Sequence, residues 1–556
     1  MSGTGELCRI AAAVGESKKV VSWFHAAIGA IPLYQSGGMG ALALQERTFL
    51  RRFVFAKGGM TMSLIQVKDL TFAYSGSYDN VFEQVSFQLD TDWRLGLTGR
   101  NGRGKTTFLR LLMGEYPYSG TIAADMAFAY FPYTVPDGEE AAMDVLRGLA
   151  PEAADWELCR EVSLLDVEEG ALYRPFSTLS QGEQTKLLLA AMFLREGCFP
   201  LIDEPTNHLD LQGRRKLAAY LRRKSGFILV SHDRELLDAC VDHILAINKT
   251  SIQIQQGNFS SWWDNRRMQE QYERSENQRL QRDIRRLSAA QRQTAAWSDQ
   301  VERSKKGGTR DGAKVDRGYV GHKAAKMMKR SKAIQERQQG MLEEKQGLLR
   351  DVERCDQLSI TPLRFHTDKL LEVSGLSIQY GAAPVCRDVR FTVRTGDRIA
   401  IQGRNGTGKS SILRLICGEE VPHSGTLYRS GQLVISYVPQ RTDHLRGTLA
   451  DYAESLGLQE SLFKAILRKL GVEQVQFGKD MASFSAGQKK KVLLAGSLCQ
   501  QAHLYVWDEP LNYIDVYARM QLEEMLLSSC PTLLFVEHDG AFCRRIATDT
   551  VELRRE

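Results

Sequence analysis

The chain has no CxxC pair and no Cys/His cluster. Its ten cysteines (Cys8, Cys159, Cys198, Cys240, Cys355, Cys386, Cys417, Cys499, Cys530 and Cys543) are scattered. That usage argues against a zinc site and a disulfide framework and fits buried thiols in a reducing compartment. Also missing is any apolar run of the roughly 18 residues that a membrane-spanning helix needs. The best stretch, Val20 to Tyr34, is short and carries His25 and Pro32. From Asp264 through Lys306 there is neither Gly nor Pro, so the commonest helix breakers are absent there.

Charge is nearly balanced except in one place. Arg303 to Lys332 holds eleven Lys or Arg against Asp311 and Asp316, net +9, whereas the whole chain is +6. Everything outside that stretch is therefore net negative. A basic tip on a nearly neutral body points to a polyanion, and phosphate backbones are the commonest one. With 556 residues the chain has room for about three or four domains.

Residues 1–61 show no clear periodicity. Lys57-Gly58-Gly59 is what a purine-rich ribosome-binding sequence becomes when translated, and it lies just before Met60 and Met62. The expectation is that synthesis starts at Met60 or Met62, with residues 1–61 a leader of unknown role.

From Met62 onward one module occurs twice. Gly99-Arg100-Asn101-Gly102-Arg103-Gly104-Lys105-Thr106 and Gly403-Arg404-Asn405-Gly406-Thr407-Gly408-Lys409-Ser410 both fit G-x-x-x-x-G-K-[ST], with Thr107 and Ser411 following. Each sits between a short apolar strand and a helical pattern. In that context glycines let main-chain N–H groups close around phosphates, Lys neutralises the β/γ oxygens and the hydroxyl binds Mg²⁺. Lys105 to Lys409 is 304 positions, Asp203 to Asp508 is 305, and both His232 to His538 and Tyr74 to Tyr380 are 306. A near-constant offset across distant motifs means tandem duplication.

At these residues the chain resembles the ATP-binding cassette (ABC) superfamily. Leu179-Ser180-Gln181-Gly182-Glu183 and Phe484-Ser485-Ala486-Gly487-Gln488 look like the signature motif that completes the opposite ATP site, and the strands ending in Asp203-Glu204 and Asp508-Glu509 look like Walker B. The resemblance implies an ATPase whose cofactors are ATP and Mg²⁺. It gives Thr106, Asp203, Ser410, Asp508 and Gln440 to the metal, and Glu204 and Glu509 to the attacking water. It gives His232 and His538 to the γ-phosphate, Tyr74 and Tyr380 to adenine, and the two phosphate loops with Ser180, Gly182, Glu183, Ser485, Gly487 and Gln488 to nucleotide. Gln440 fits the Q-loop, whereas the first module has Tyr133 there, which offers no amide carbonyl to a metal. Unequal turnover at the two sites is expected.

Between the modules, Leu280, Ile284, Leu287, Trp297 and Val301 recur at helical spacing, and Met327, Ile334, Met341, Leu348 and Cys355 fall seven apart. The pattern predicts an antiparallel hairpin with arms of about 40 residues, on the order of 60 Å long, holding the basic loop far from the ATPase. The expected fold class is α/β: two tandem ABC-type P-loop domains, 62–257 and 366–556, joined by a helical linker, 258–365, with its tip near 303–322.

This arrangement resembles the ABC-F family, and Gly318 to Arg330 together with Leu504 to Tyr513, which ends in Asp508-Glu509-Pro510-Leu511-Asn512-Tyr513, look like its Lsa/Vga antibiotic-resistance type. The resemblance implies a cytoplasmic monomer with intramolecular pairing of its ATPase domains and no membrane partner. It implies entry into the ribosomal E site, contact with 23S rRNA and P-site tRNA, and displacement of lincosamides, streptogramin A compounds and pleuromutilins. Lys305, Lys306, Arg310, Lys314, Arg317, Lys323, Lys326, Lys329, Arg330 and Lys332 would lie on RNA phosphates. A housekeeping ABC-F translation factor shares every catalytic motif, although the first module lacks that group's arm insertion. The ATPase of an exporter is a third reading, and it leaves the basic hairpin unexplained.

Overall fold

Phe227–Val230 is a strand with all four side chains buried, and Leu533–Val536 repeats this in the second half. Such strands have no polar face for water, so they need cover on both sides and belong in the middle of a parallel sheet. The computed structural model describes residues 64–75, 80–207, 209–248, 252–306, 329, 337, 360–380 and 383–553. The chain divides after Met62, and the unit Ser63–Glu556 is the one described here.

In the first half the strands run in the order Ala127–Phe131, Cys198–Asp203, Phe227–Val230, Arg94–Thr98, His243–Ile247, Ile252–Gln256, parallel except for the last hairpin. The second half repeats this as Ile435–Val438, Leu504–Asp508, Leu533–Val536, Arg398–Gly403, Asp549–Leu553, all parallel. Each half adds a three-stranded antiparallel sheet, centred on Leu64–Phe72 and on Lys369–Tyr380. The helices Lys105–Leu112 and Lys409–Cys417 pack with both sheets of their half, burying Phe108, Leu109, Ile412 and Leu413. In this doubly wound arrangement the phosphate loop and the Walker B carboxylates emerge at the same strand ends.

The linker begins as one helix, Phe259–Lys306, of 48 residues. Phe259 and Trp262 are buried in the first half's core and give its first turn an anchor. Lys329 and Arg337 are helical and exposed. The tip and most of the return arm lie outside the described residues, as do residues 1–61. Among the described residues no helix is long and apolar enough to cross a membrane.

The halves touch through a shared core. Val516 and Tyr517, which open the helix Val516–Ser529 of the second half, are buried in the first half's cluster. Tyr517 lies with Trp263 at 5.4 Å between ring centroids, and two guanidinium groups flank its ring, Arg100 at 5.7 Å and Arg266 at 5.3 Å.

Candidate functional site

The phosphate loops are built on left-handed glycines. Gly104 (φ 90°) and Gly408 (φ 85°) precede the first helical residues, Lys105 and Lys409. A Cβ on Gly104 would come within 2.6 Å of Val81 Cγ1, so space as well as φ requires glycine. Lys105 Nζ donates to the main-chain oxygens of Gly99 and Arg100 at 2.7 and 3.3 Å, and Lys409 Nζ to those of Gly403 and Arg404 at 2.8 and 2.9 Å. Burial pushes both ammonium pKa values down. An arriving anion relieves that penalty by supplying the missing counter-charge.

Across the interface, Ser485 and Gln488 reciprocate hydrogen bonds, Gln488 N to Ser485 Oγ at 3.2 Å and Ser485 N to Gln488 Oε1 at 3.0 Å. Ser180 and Glu183 do the same, at 3.3 and 2.9 Å. These capping boxes fix the helix start, and they commit the polar ends of Glu183 and Gln488 to the cap. The helix N-terminus is left as the group that faces phosphate.

One cavity of about 640 Å³ gathers the first site from both halves. The first half contributes Tyr74, Asn101, Gly102, Gly104, Lys105, Thr106, Thr107, Asp203, Glu204 and His232, and the second contributes Ser485, Gly487, Gln488, Lys491 and Tyr513. Asn101 Nδ2 donates to Tyr513 O at 2.9 Å across the seam. At the other seam Lys409 lies within electrostatic range of Asp210, and His538 shares a cavity with Arg214. Tyr74 and Tyr380 are half-exposed and are held by hydroxyl contacts to Thr107 Oγ1 (2.6 Å) and Ser411 Oγ (3.1 Å). Their ring faces remain usable for a flat base.

The carboxylates stand under backbone strain. Glu204 (φ 50°) and Glu509 (φ 49°) are both left-handed non-glycine residues, a costly state that clusters at functional sites. Each lies 3.5 Å from its histidine, Glu204 Oε1 to His232 Nε2 and Glu509 Oε1 to His538 Nε2. Burial, reinforced by Asp203, raises the Glu204 pKa to about 7. At Glu509 burial acts upward too, but His538 and Gln440 outweigh it and hold the carboxyl at about 2. Burial lowers both histidines, His232 well below its ordinary value. Within the Glu509–His538 pair the carboxylate is therefore the charged member at neutral pH.

Thr106 Oγ1 donates to Asp203 Oδ2 at 2.7 Å, and Ser410 hydrogen-bonds Asp508. Asp508 Oδ1 and Glu204 Oε1 are buried without a hydrogen-bond partner. A hydroxyl and a carboxylate with an orphaned oxygen form a hard-oxygen set that fits Mg²⁺, a metal that takes its remaining ligands from phosphate and water. The described residues hold no group of three or more His, Cys, Asp or Glu that could bind a metal unaided. Tyr133 is an exposed side chain, and Tyr130, two strand positions on from Phe128, donates to Asp203 Oδ2 at 3.1 Å.

Sequence reasoning did not single out Tyr130, Lys491, Arg519 or Glu537. The repeat offset was the available signal: Lys491 pairs with Lys186 and Arg519 with Arg214, both 305 apart. Of the basic tip, Lys305 and Lys306 close the helix and Lys329 is exposed. Arg310, Lys314, Arg317, Lys323, Lys326, Arg330 and Lys332 lie outside the described residues.

Comparison with known proteins agrees with this geometry. The ABC transporter family model matches residues 82–207 and 386–512. The chain is 29% identical over 484 residues to the ribosome protection protein VmlR of Bacillus subtilis, covering 85% of this chain and 84% of that one. It is 25% identical over 530 residues to the energy-dependent translational throttle protein EttA of Escherichia coli, covering 86% and 90%. In fold it is similar to the archaeal ribosome recycling factor aABCE1, solved with the stalk protein aP1, at TM-score 0.58 and 19% identity over 88% of both chains. The chain is thus a tandem ABC-type ATPase, and its relatives support the ABC-F resemblance.

Proposed function

We propose that this ATPase is an ABC-F protein that acts on the ribosome in the cytoplasm, its two domains closing on ATP and Mg²⁺ while the linker hairpin reaches into ribosomal RNA. The observation that carries this reading is the first composite cavity: one chain supplies both walls, and the root of the 48-residue linker helix packs on the same interface. Closing that cavity on nucleotide is therefore coupled by packing to the linker. Lys105 and Lys409 take the phosphate charge, Asp203 and Asp508 with Thr106, Ser410 and Gln440 hold the metal, and Glu204 and Glu509 orient the attacking water. His232 and His538 reach the γ-phosphate. Such chemistry works by positioning and charge stabilisation.

The finer reading is ribosome protection of the Lsa/Vga kind, with the E site, 23S rRNA and P-site tRNA as surroundings and lincosamides, streptogramin A compounds and pleuromutilins displaced. The name of VmlR and the resemblance at Gly318–Arg330 and Leu504–Tyr513 support it. A translation factor without drug phenotype is the second reading, favoured by the likeness to EttA. The deciding experiment is lincomycin, tiamulin and virginiamycin M susceptibility of a sensitive Gram-positive host expressing residues 62–556, beside the Glu204→Gln/Glu509→Gln variant. Protection lost in the variant supports resistance. Unchanged susceptibility with retained ribosome co-sedimentation moves the protein to the translation-factor class.

A further inference from the structure

Two buried ionisable side chains occupy the second half where the first has hydroxyl residues. Lys490 stands in place of Thr185 and Glu537 in place of Ser231, at offsets of 305 and 306, and all four are buried. Lys490 Nζ donates to the main-chain oxygens of Pro439 and Asp508, both at 2.9 Å, tying the Q-loop to the Walker B strand. Glu537 accepts from Leu511 N–H at 2.7 Å and from His538 N–H at 3.1 Å, one bond on each carboxylate oxygen. It thereby pins the loop after Walker B to the segment that carries His538. Ser231 instead accepts from Asp233 N at 3.1 Å, within its own segment.

The pinned loop reaches the other half. Tyr513 O accepts from Asn101 Nδ2 at 2.9 Å, and Asn101 Oδ1 lies 3.3 Å from Lys105 Nζ and 3.1 Å from His232 Nε2. Leu511 O accepts from Arg519 Nη2 at 3.0 Å, and Arg519 Nη1 holds His232 O at 2.9 Å. The first route runs along the loop from Leu511 to Tyr513 and through Asn101 to the Lys105 and His232 side chains, and the second runs from Leu511 through Arg519 to the main chain of His232.

We propose that Glu537 is a positioning residue for the first ATP site, although it belongs to the second half. By fixing Leu511 it sets how the loop presents Tyr513 and how Arg519 meets His232, and so links the His538 segment to nucleotide binding on Lys105. A carboxyl group suits this task because it has one oxygen for each of the two N–H groups. The proposal rests on the ATPase reading of the composite sites and is independent of the ribosomal one.

The test uses a Lys409→Ala chain, whose second site has lost its phosphate ligand, and measures the Kd of N-methylanthraniloyl-ATP with Mg²⁺ at the remaining site. Adding Glu537→Ala is expected to raise that Kd about tenfold, and Glu537→Ser, the first half's residue, does the same. Glu537→Gln keeps an oxygen for Leu511 and restores most of the affinity. An unchanged Kd in a folded Glu537→Ala chain, judged by its melting curve, overturns the proposal. Equal losses for Gln and Ala overturn it too, because they mark general damage rather than a positioned acceptor.

Discussion

Arg519 Nη1 donates to the main-chain oxygen of His232 at 2.9 Å, so a guanidinium of the second half is fixed on the histidine segment of the first. The same side chain is buried and also bonds Asp539, Leu511 O and Ile514 O at 3.1, 3.0 and 2.9 Å. Its repeat counterpart Arg214 bonds Leu209 O and Asp233, both at 3.1 Å, within its own half. Arg519→Ala is expected to destabilise the protein by about 3–5 kcal/mol, because Asp539 and the carbonyls lose a buried charged partner. Arg519→Lys recovers little, lacking the planar fork. Urea unfolding of the three chains checks this.

The two catalytic carboxylates are expected to give different pH profiles. A Glu509→Gln chain turns over at the first site only, where Glu204 has a pKa of about 7. A water-orienting carboxylate works ionised, and it is protonated below its pKa. The kcat/KM of that chain therefore rises about tenfold from pH 6 to pH 8. A Glu204→Gln chain relies on Glu509, held at about 2, and shows no rise from that group. Superimposable profiles, or equal losses of turnover in the two chains, contradict the asymmetry.

Glu523 is fully buried in the second half between Arg234 of the first and Arg545 of its own. Removing the carboxylate takes the counter-charge from the mostly buried Arg234 guanidinium and leaves the half-exposed Arg545 as a like charge beside it. Glu523→Ala is expected to cost about 3 kcal/mol of stability, and Arg234→Ala in the same chain recovers part of it. A double-mutant cycle on chemical unfolding isolates the coupling.

At the far end of the linker, replacing Lys305, Lys306 and Arg310 with Ala is expected to weaken ribosome co-sedimentation and to leave free ATPase activity nearly intact. The affinity of the parent chain falls more steeply with salt, by a log–log slope difference of about 2 to 3, one for each lost phosphate contact. Parallel slopes reject an RNA contact for these three.

Much of the fold was legible because a duplication leaves a ruler in the sequence. Offsets of 304 to 306 tied the phosphate loops, Walker B strands and histidines into two copies before any coordinate. The buried strands and the start of the linker near Phe259 followed from apolar runs and the lack of breakers. Less visible was everything made by contact between the copies. Arg519 looks like an ordinary charge in a helix of mixed pattern, and only the packing of that helix on the other half gives it His232 O. Tyr130 reads as one more strand aromatic until Asp203 is placed beside its hydroxyl at 3.1 Å. Lys490 and Glu537 break the repeat, and a broken repeat does not say which carbonyl or N–H the new charge will meet.

Tyr517 sits with Arg100 of the first phosphate loop on one hand and Trp263 and Arg266 of the linker's first turns on the other. The linker helix is 48 residues long and runs on past Arg266 to Lys306, about 60 Å at the usual rise. A tilt of about 5° at its root carries the Lys306 end through about 5 Å. The aromatic ring thus lies where the first phosphate loop meets the root of a long helix, so any small rotation there is multiplied by the length of the arm.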